Sequence, residues 1–271
     1  MIFPIASLSP AGRIALCTLS LLAGTGFFAA GASAASLDDA AERYRPLMIS
    51  EIGQALAGAQ DLQKRVAARD LEGAQKAWIT SRVGWERAEV FTSGFVSELD
   101  EAIDAWPNAQ TGFHAIEAQL FGAKSTDLGD ETGNLVLNLS DLDIKIRHMP
   151  LNAQGLMDGM ARLAYEVGES KADGGESRFS GTSLDDMRNN VTGIAIAYKT
   201  IFCDALKAAD PALDGALQKT LSEMTALVDV DRLETLDTDM LRQKSEELII
   251  ALQTAAPKIG LTAPSLEVIT Q

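Results

Sequence analysis

The sequence predicts an all-α protein whose two halves, with about four helices each, are antiparallel four-helix-bundle-like units. Three observations carry this. Apolar residues recur at three- and four-residue steps in nearly every segment, as in Met48, Ile52, Ala55, Leu56, Ala59, Leu62 and Val66, which is the period of an amphipathic helix and not of a strand. Capping residues such as Asp70 stand where periodic runs begin, and breakers such as Gly122 and Pro150 stand where they end.

Residues 1–34 are set apart from the fold. A single charge, Arg13, precedes an apolar run from Ile14 through Phe28 and a small-residue ending at Ala32-Ser33-Ala34, the pattern of a secretory signal cleaved near Ala34. Gly24 and Gly26 break the run, and no basic patch follows it, so a membrane anchor is the weaker reading. Ala15-Leu16 before Cys17 does not resemble a lipidation site. The expectation is an exported, periplasmic protein with no membrane insertion after cleavage.

Residues 35–271 are enough for a substantial core in one large or two small domains. The expected division is 35–150 and 151–271. The formal charge of the whole chain is −15, and losing Arg13 makes it more negative. That balance argues against nucleic acid and anionic membrane surfaces as partners, since both need clustered Lys and Arg. It suits a cationic ligand, although an acidic solvated surface accounts for most of it. Of two cysteines only Cys203 remains after processing, so no internal disulfide forms, and Cys203 is expected to be a small buried hydrophobe.

In chain order, the run from 47 to 66 is one long amphipathic helix, with Ser36 and Asp39 as its starting signal and Pro46 as a kink or second start. Asp70 caps a helix through Trp78 and Trp85 to about Phe95. Residues 96–109, with Asp100, Asp104 and Pro107, are a connection. A short helix from about Gln110 to Phe121 carries His114 and Glu117. Leu135, Leu139, Leu142, Ile146 and Met149 mark the next helix, at whose tail His148 suits the helix C-terminus. The second half begins with a helix from Ala153 to Glu169 and a polar loop over 171–182. Ser183 and Asp186 form a capping-box-like start to a long helix bearing Ile194, Tyr198, Ile201, Phe202 and Leu206. Pro211 opens a helix to about Val228, and a last one spans about Asp239 to Ala255.

The chemistry concentrates at Gly112-Phe113-His114-Ala115-Ile116-Glu117. His114 is one of two histidines, and three residues on, Glu117 projects from the same helical face. Such a pair can ligate a metal, shuttle a proton or pair with each other, and on spacing alone a surface hydrogen bond is the commonest outcome. Acids precede it at Glu86 and Glu89 and at Asp100 and Asp104. Arg82 or Arg87 can pair with them, as ordinary surface partners or by orienting an acid beside a metal.

The combination of Trp85-Glu86-Arg87-x-Glu89, Leu99-Asp100-x-x-Ile103-Asp104, Gly112-Phe113-His114-x-Ile116-Glu117 and Glu176-x-x-Phe179-Ser180-x-Thr182-x-Leu184-x-Asp186-x-x-x-Asn190-Val191-x-Gly193 resembles the imelysin-like family. Within it the chain is most similar to the EfeO and EfeM branch of periplasmic iron-uptake proteins. The resemblance implies a cleft between the two halves and a metal site in it, with Glu86, Glu89, Asp104, His114, Glu117 and Glu176 matching the family's motif positions, Asp104 being preferred to Asp100. Trp85 stands where the family has tyrosine. Phe179-Ser180-Gly181-Thr182-Ser183-Leu184 lacks the histidine and aspartate of the matching segment. Iron is the implied ion, and carboxylates with one imidazole and no thiolate suit it, with zinc and manganese as alternatives. An inner-membrane iron permease and a haem peroxidase are the implied partners. No strand-rich region or Cys–His–Met set suggests the cupredoxin domain of longer EfeO forms.

Two other functions compete. Members of the family have been labelled peptidases, but a zinc peptidase expects two histidines and a glutamate on one helix. Here Ala118 follows Glu117, and the other histidine is His148. The remaining alternative is a module binding a polymer or protein in the cleft. A di-iron oxidase lacks its paired Glu-x-x-His motifs. A metal-binding protein and not an enzyme is therefore the expectation.

Overall fold

A computed structural model describes residues 34–107 and 109–266; apart from Ala34, the expected signal segment lies outside them. The described chain is all-α, with ten α-helices and no strand among these residues. Helix α1 (Ala34–Ala67) runs unbroken through Pro46, so the anticipated second start is absent. Its neighbours along the helix, Tyr44, Met48 and Ile52, are all buried, and tertiary packing of that face outweighs the one backbone bond that proline forfeits.

Helix α2 (Leu71–Phe95) starts where the sequence placed it: the Asp70 carboxylate accepts from the Gly73 amide at 3.0 Å. It is the central rod of the molecule, packing against α1, α6 (Ala153–Glu169) and α7 (Ser183–Ala197). From Ser81 to Thr92 every side chain except Val83 and Arg87 is buried. Helix α5 (Gly129–His148) lies against α1, and α10 (Thr238–Lys258) against α6 and α9 (Pro211–Val228). Asn152 caps α6, Asp210 caps α9 ahead of Pro211, and Asp237 caps α10. The buried apolar side chains form one continuous cluster from Leu37 to Ile259.

Several local expectations change. Residues 97–104 are not a connection but helix α3 (Ser97–Asp104), which buries Leu99 and Ile103. Their four-residue spacing is one helical face, though eight residues carry too little periodic signal to stand out. The short helix is tighter than expected: α4 covers Gly112–Glu117 and then widens into a π-helical turn over Ala118–Ala123. A second π turn, Tyr198–Phe202, joins α7 to α8 (Cys203–Ala209), turning Cys203 partly outward, where Gln218 donates to its sulfur at 3.6 Å. Ser183 and Asp186 do not make a capping box. Ser183 Oγ accepts from the Ser177 amide and Asp186 from the Ser177 hydroxyl, so both hold down the loop before the helix.

Candidate metal centre

The site is built where three pieces of chain converge on α2: the end of α3, helix α4, and the turn-rich segment 170–182 with the start of α7. Spacing along α2 puts Arg82, Glu86 and Glu89 on one face at four- and three-residue steps, and all three are buried. Gly112 brings the histidine in. It has φ +74° and stands so close to α3 that a Cβ there would meet the Ile103 carbonyl oxygen at 2.1 Å, so only glycine opens α4 at this distance. Two residues on, His114 reaches Asp104, the residue after Ile103. Trp78 fixes α4 from below, donating its indole N–H to the Phe113 carbonyl at 3.0 Å and meeting the Phe113 ring edge-on.

His114 is buried. Its Nε2 lies 3.3 Å from Asp104 Oδ1 and 3.6 Å from Glu176 Oε1 and makes no hydrogen bond. One ligand atom from each of Asp104, His114 and Glu176 lies within 4.8 Å of the other two. The ring's other nitrogen, Nδ1, is 3.5 Å from Glu117 Oε2. Glu117's second oxygen accepts from the Phe179 amide, the Ser180 amide and the Ser180 hydroxyl at 3.0, 2.8 and 2.7 Å. That carboxylate thus fastens the loop carrying Glu176 to the helix carrying His114. His114 and Glu176 open onto a cavity of about 410 Å³ that Glu117 and Trp106 also line. A second cavity, of about 440 Å³, reaches Asp104, Glu89 and Glu176 from the other side of Trp106 and Pro107.

Two buried cations complete the cluster, and neither drew notice in the sequence as a buried group at its centre. Arg82 pairs with Asp104 and Glu86 and lies 3.4 Å from Asp186 and 3.8 Å from Glu176. Its guanidinium also stands 5.3 Å from the Phe113 ring centroid. Lys171 is 1% exposed, and its Nζ donates to Glu86 Oε2 at 2.7 Å and Glu89 Oε2 at 3.1 Å, with Glu176 Oε1 at 3.2 Å. Asn190 Nδ2 reaches the same two Glu86 and Glu89 oxygens at 2.7 Å each. Gly193 permits this, because a Cβ there would stand 2.5 Å from the Arg87 carbonyl of α2. Trp85, where the family resemblance expects tyrosine, donates its indole N–H to Asp104 Oδ2 at 2.5 Å.

So the six residues singled out from the sequence are all buried or nearly so around one centre, in two groups. Asp104, His114 and Glu176 converge, with Glu117 behind the histidine; Glu86 and Glu89 face Lys171. Asp100, the less favoured acid, lines the second cavity and bonds to Thr92. Arg87 pairs away from the centre, with Asn189 and Glu51. Lys171 opens a Gly-, Asp- and Ser-rich loop, which reads as solvent-exposed; Asn190 and Gly193 belonged to the motif but had no assigned role.

Charge is shared unevenly. Burial disfavours the His114 imidazolium, but the Asp104 carboxylate and the contacts with Glu117 and Glu176 outweigh it and hold its pKa at about 9. Burial lifts Asp104 to about 6 against the pull of Arg82 and His114. Glu176 is driven the other way: despite its burial, Lys171 and His114 take it down to about 2. Glu89, desolvated and beside Glu86, is held well above the carboxylate range. At neutral pH a proton on His114 therefore fills the position between Asp104 and Glu176.

The family model described as Imelysin, which carries a peptidase label, matches residues 40–110 and 108–259. A Staphylococcus haemolyticus protein named Efem/EfeO family lipoprotein is 26% identical over 210 residues, 73% of this chain and 72% of its own. Iron uptake system component EfeO of Escherichia coli K12 is 29% identical over 222 residues, 78% of this chain and 56% of its own. The chain thus spans little more than half the length of EfeO. A crystal structure from Parabacteroides distasonis, of a protein named as an iron-regulated protein A precursor, superposes with TM-score 0.65 at 17% identity, covering 85% of this chain and 96% of that one, a likeness of fold. With its family model spanning most of both halves of the described chain, this protein belongs to the imelysin family.

Proposed function

We propose that this chain is an exported iron-binding component of an iron-uptake system, with Asp104, His114 and Glu176 as the first donors to the ion. One observation carries the reading: a buried imidazole nitrogen without a hydrogen-bond partner, aimed between two carboxylate oxygens at the wall of a cavity. Metal–ligand distances of about 2.1 Å put adjacent donors in a coordination sphere about 3 Å apart, close to the separations here. Two carboxylates and an imidazole without thiolate suit iron, and leave manganese and zinc as competitors. Iron is the cargo, and an ion entering takes the place of the Nε2 proton while Glu117 keeps the ring oriented through Nδ1.

Relatives bearing the name of an iron uptake component support iron as the cargo. In this reading the protein works in the periplasm, holds the ion in the cleft between its two halves and delivers it to an inner-membrane permease, with a haem peroxidase acting beside it. No helix among the described residues is long and apolar enough to cross a membrane. It binds and does not cleave: the histidine's neighbours are carboxylates that hold it, and the peptidase label belongs to the family's name.

Calorimetric titration of the protein without residues 1–34 tests this, using anaerobic ferrous ion, manganese and zinc. One ion per chain is expected, with binding weakened about tenfold or more, equivalent to 1.4 kcal/mol or more, in His114→Ala and in Glu176→Gln. Equal binding by wild type and both variants would sink the assignment. Chelator-sensitive cleavage of a protein substrate by the purified chain would turn it toward a peptidase.

A further inference from the structure

We infer that Lys171 is a built-in cation filling a second ion position beside the first, so that the cluster takes one metal ion where its carboxylates alone would take two. This rests on reading Asp104, His114 and Glu176 as the donors to the first ion.

The ammonium sits among three carboxylates, with Glu86, Glu89 and Glu176 oxygens at 2.7, 3.1 and 3.2 Å. It is as buried as the aliphatic core. A lysine has a flexible stem and a strongly hydrated head, and ordinarily keeps that head in water. Here it is delivered to the interior from the first residues of a turn: the Lys171 amide bonds back to the Glu166 carbonyl and the Lys171 carbonyl accepts from Gly174. Asn190 holds the two α2 carboxylates together independently of the ammonium, reaching both Oε2 atoms. The acids are thus arranged around a point charge by a neutral group as well as by the lysine. Three carboxylate oxygens around one point form the donor set of a hard cation, and the ammonium stands at that point.

Glu176 Oε1 is common to both positions, facing Lys171 on one side and His114 Nε2 on the other. The lysine therefore also draws on the oxygen that the first ion needs. A fixed cation there keeps a second ion out by occupancy and by repulsion, and weakens the grip of Glu176 on the first. Both effects favour a carrier that must release its cargo.

The test is stoichiometry, read by calorimetry with manganese(II) and checked by metal analysis after gel filtration. Wild type is expected to bind one ion per chain, Lys171→Met two, and Lys171→Arg one. Glu86→Gln/Glu89→Gln, which keeps the lysine, is expected to retain one ion, because those acids hold Lys171. Circular dichroism follows folding, and manganese is expected to raise the melting temperature of Lys171→Met more than that of wild type. Two ions on wild type, one on a folded Lys171→Met, or loss of binding in a folded Glu86→Gln/Glu89→Gln overturns the inference. If Lys171→Met does not fold, Lys171→Gln repeats the count, and two ions on wild type or loss of binding in a folded Glu86→Gln/Glu89→Gln still overturns the inference. No ion bound by wild type defeats the proposed function itself.

Discussion

Helix α2 has two buried faces that hold the molecule together by opposite means. Toward α1 it presents small and apolar residues such as Ala74, Ala77 and Ser81, and the Ser81 hydroxyl donates to the Ala55 carbonyl across the interface. On α1, Ile52, Ala55 and Ala59 are fully buried. Toward α4, α7 and the 170–182 segment it presents Arg82, Glu86 and Glu89. The first face is stabilised by removal of apolar area from water, which is non-directional and tolerant. The second keeps charges out of water only because each has a partner, so its stability is conditional on all of them. The same helix thus carries a scaffold on one side and a site on the other.

Replacing the guanidinium should break the charged face most severely. Arg82→Met keeps much of the volume but strands Asp104, Glu86 and Asp186, and a loss of about 3–5 kcal/mol in denaturant unfolding is expected. The deficit should shrink in mildly acidic buffer, where Asp104 and Asp186, with pKa values near 6 and 7, take up protons in compensation. On the other face, Ile52→Ala should cost about 2–5 kcal/mol as a cavity. Its deficit should be insensitive to pH, and ion binding by the folded variant should match wild type. A variant at Ile52 that lost ion binding while folded would erase the distinction between the faces.

The smallest effect is a pH slope. His114 is protonated in the folded chain up to about pH 9, but in the unfolded chain only below about 6.5. Between those values the folded state holds the extra proton, so stability falls as pH rises, and the contribution is complete below 6.5 and gone above 9. The metal-free protein should lose on the order of 1–3 kcal/mol across that window, and His114→Gln should flatten that part of the curve. A steeper loss in the variant would show that another group titrates there.

Helix positions were legible because they depend on local signals. Asp70 caps where the pattern says, and α6 and α9 begin and end as the periodicity indicates. Helix α3 leaves little trace in the sequence because its only large apolar residues are Leu99 and Ile103. Ser183 and Asp186 had the spacing of a capping box, but a loop from six residues earlier competed for both side chains. At the site, the acids and the histidine were found through motifs, whereas Lys171 was not. Its burial depends on Glu86 and Glu89 from 85 and 82 residues away, and no local pattern encodes a partnership over that separation.

Glu117 gives the site one further property. Because its Oε1 holds the backbone and hydroxyl of the Glu176 loop while its Oε2 faces the His114 ring, it acts as a latch between two separate stretches of chain. Pulling the loop from α4 takes Glu176 from His114 in the same movement. Under the proposed function, loop docking and ion retention are linked equilibria: an ion held at the centre would tighten the latch, and anything that prised the latch open would loosen the ion by the same factor.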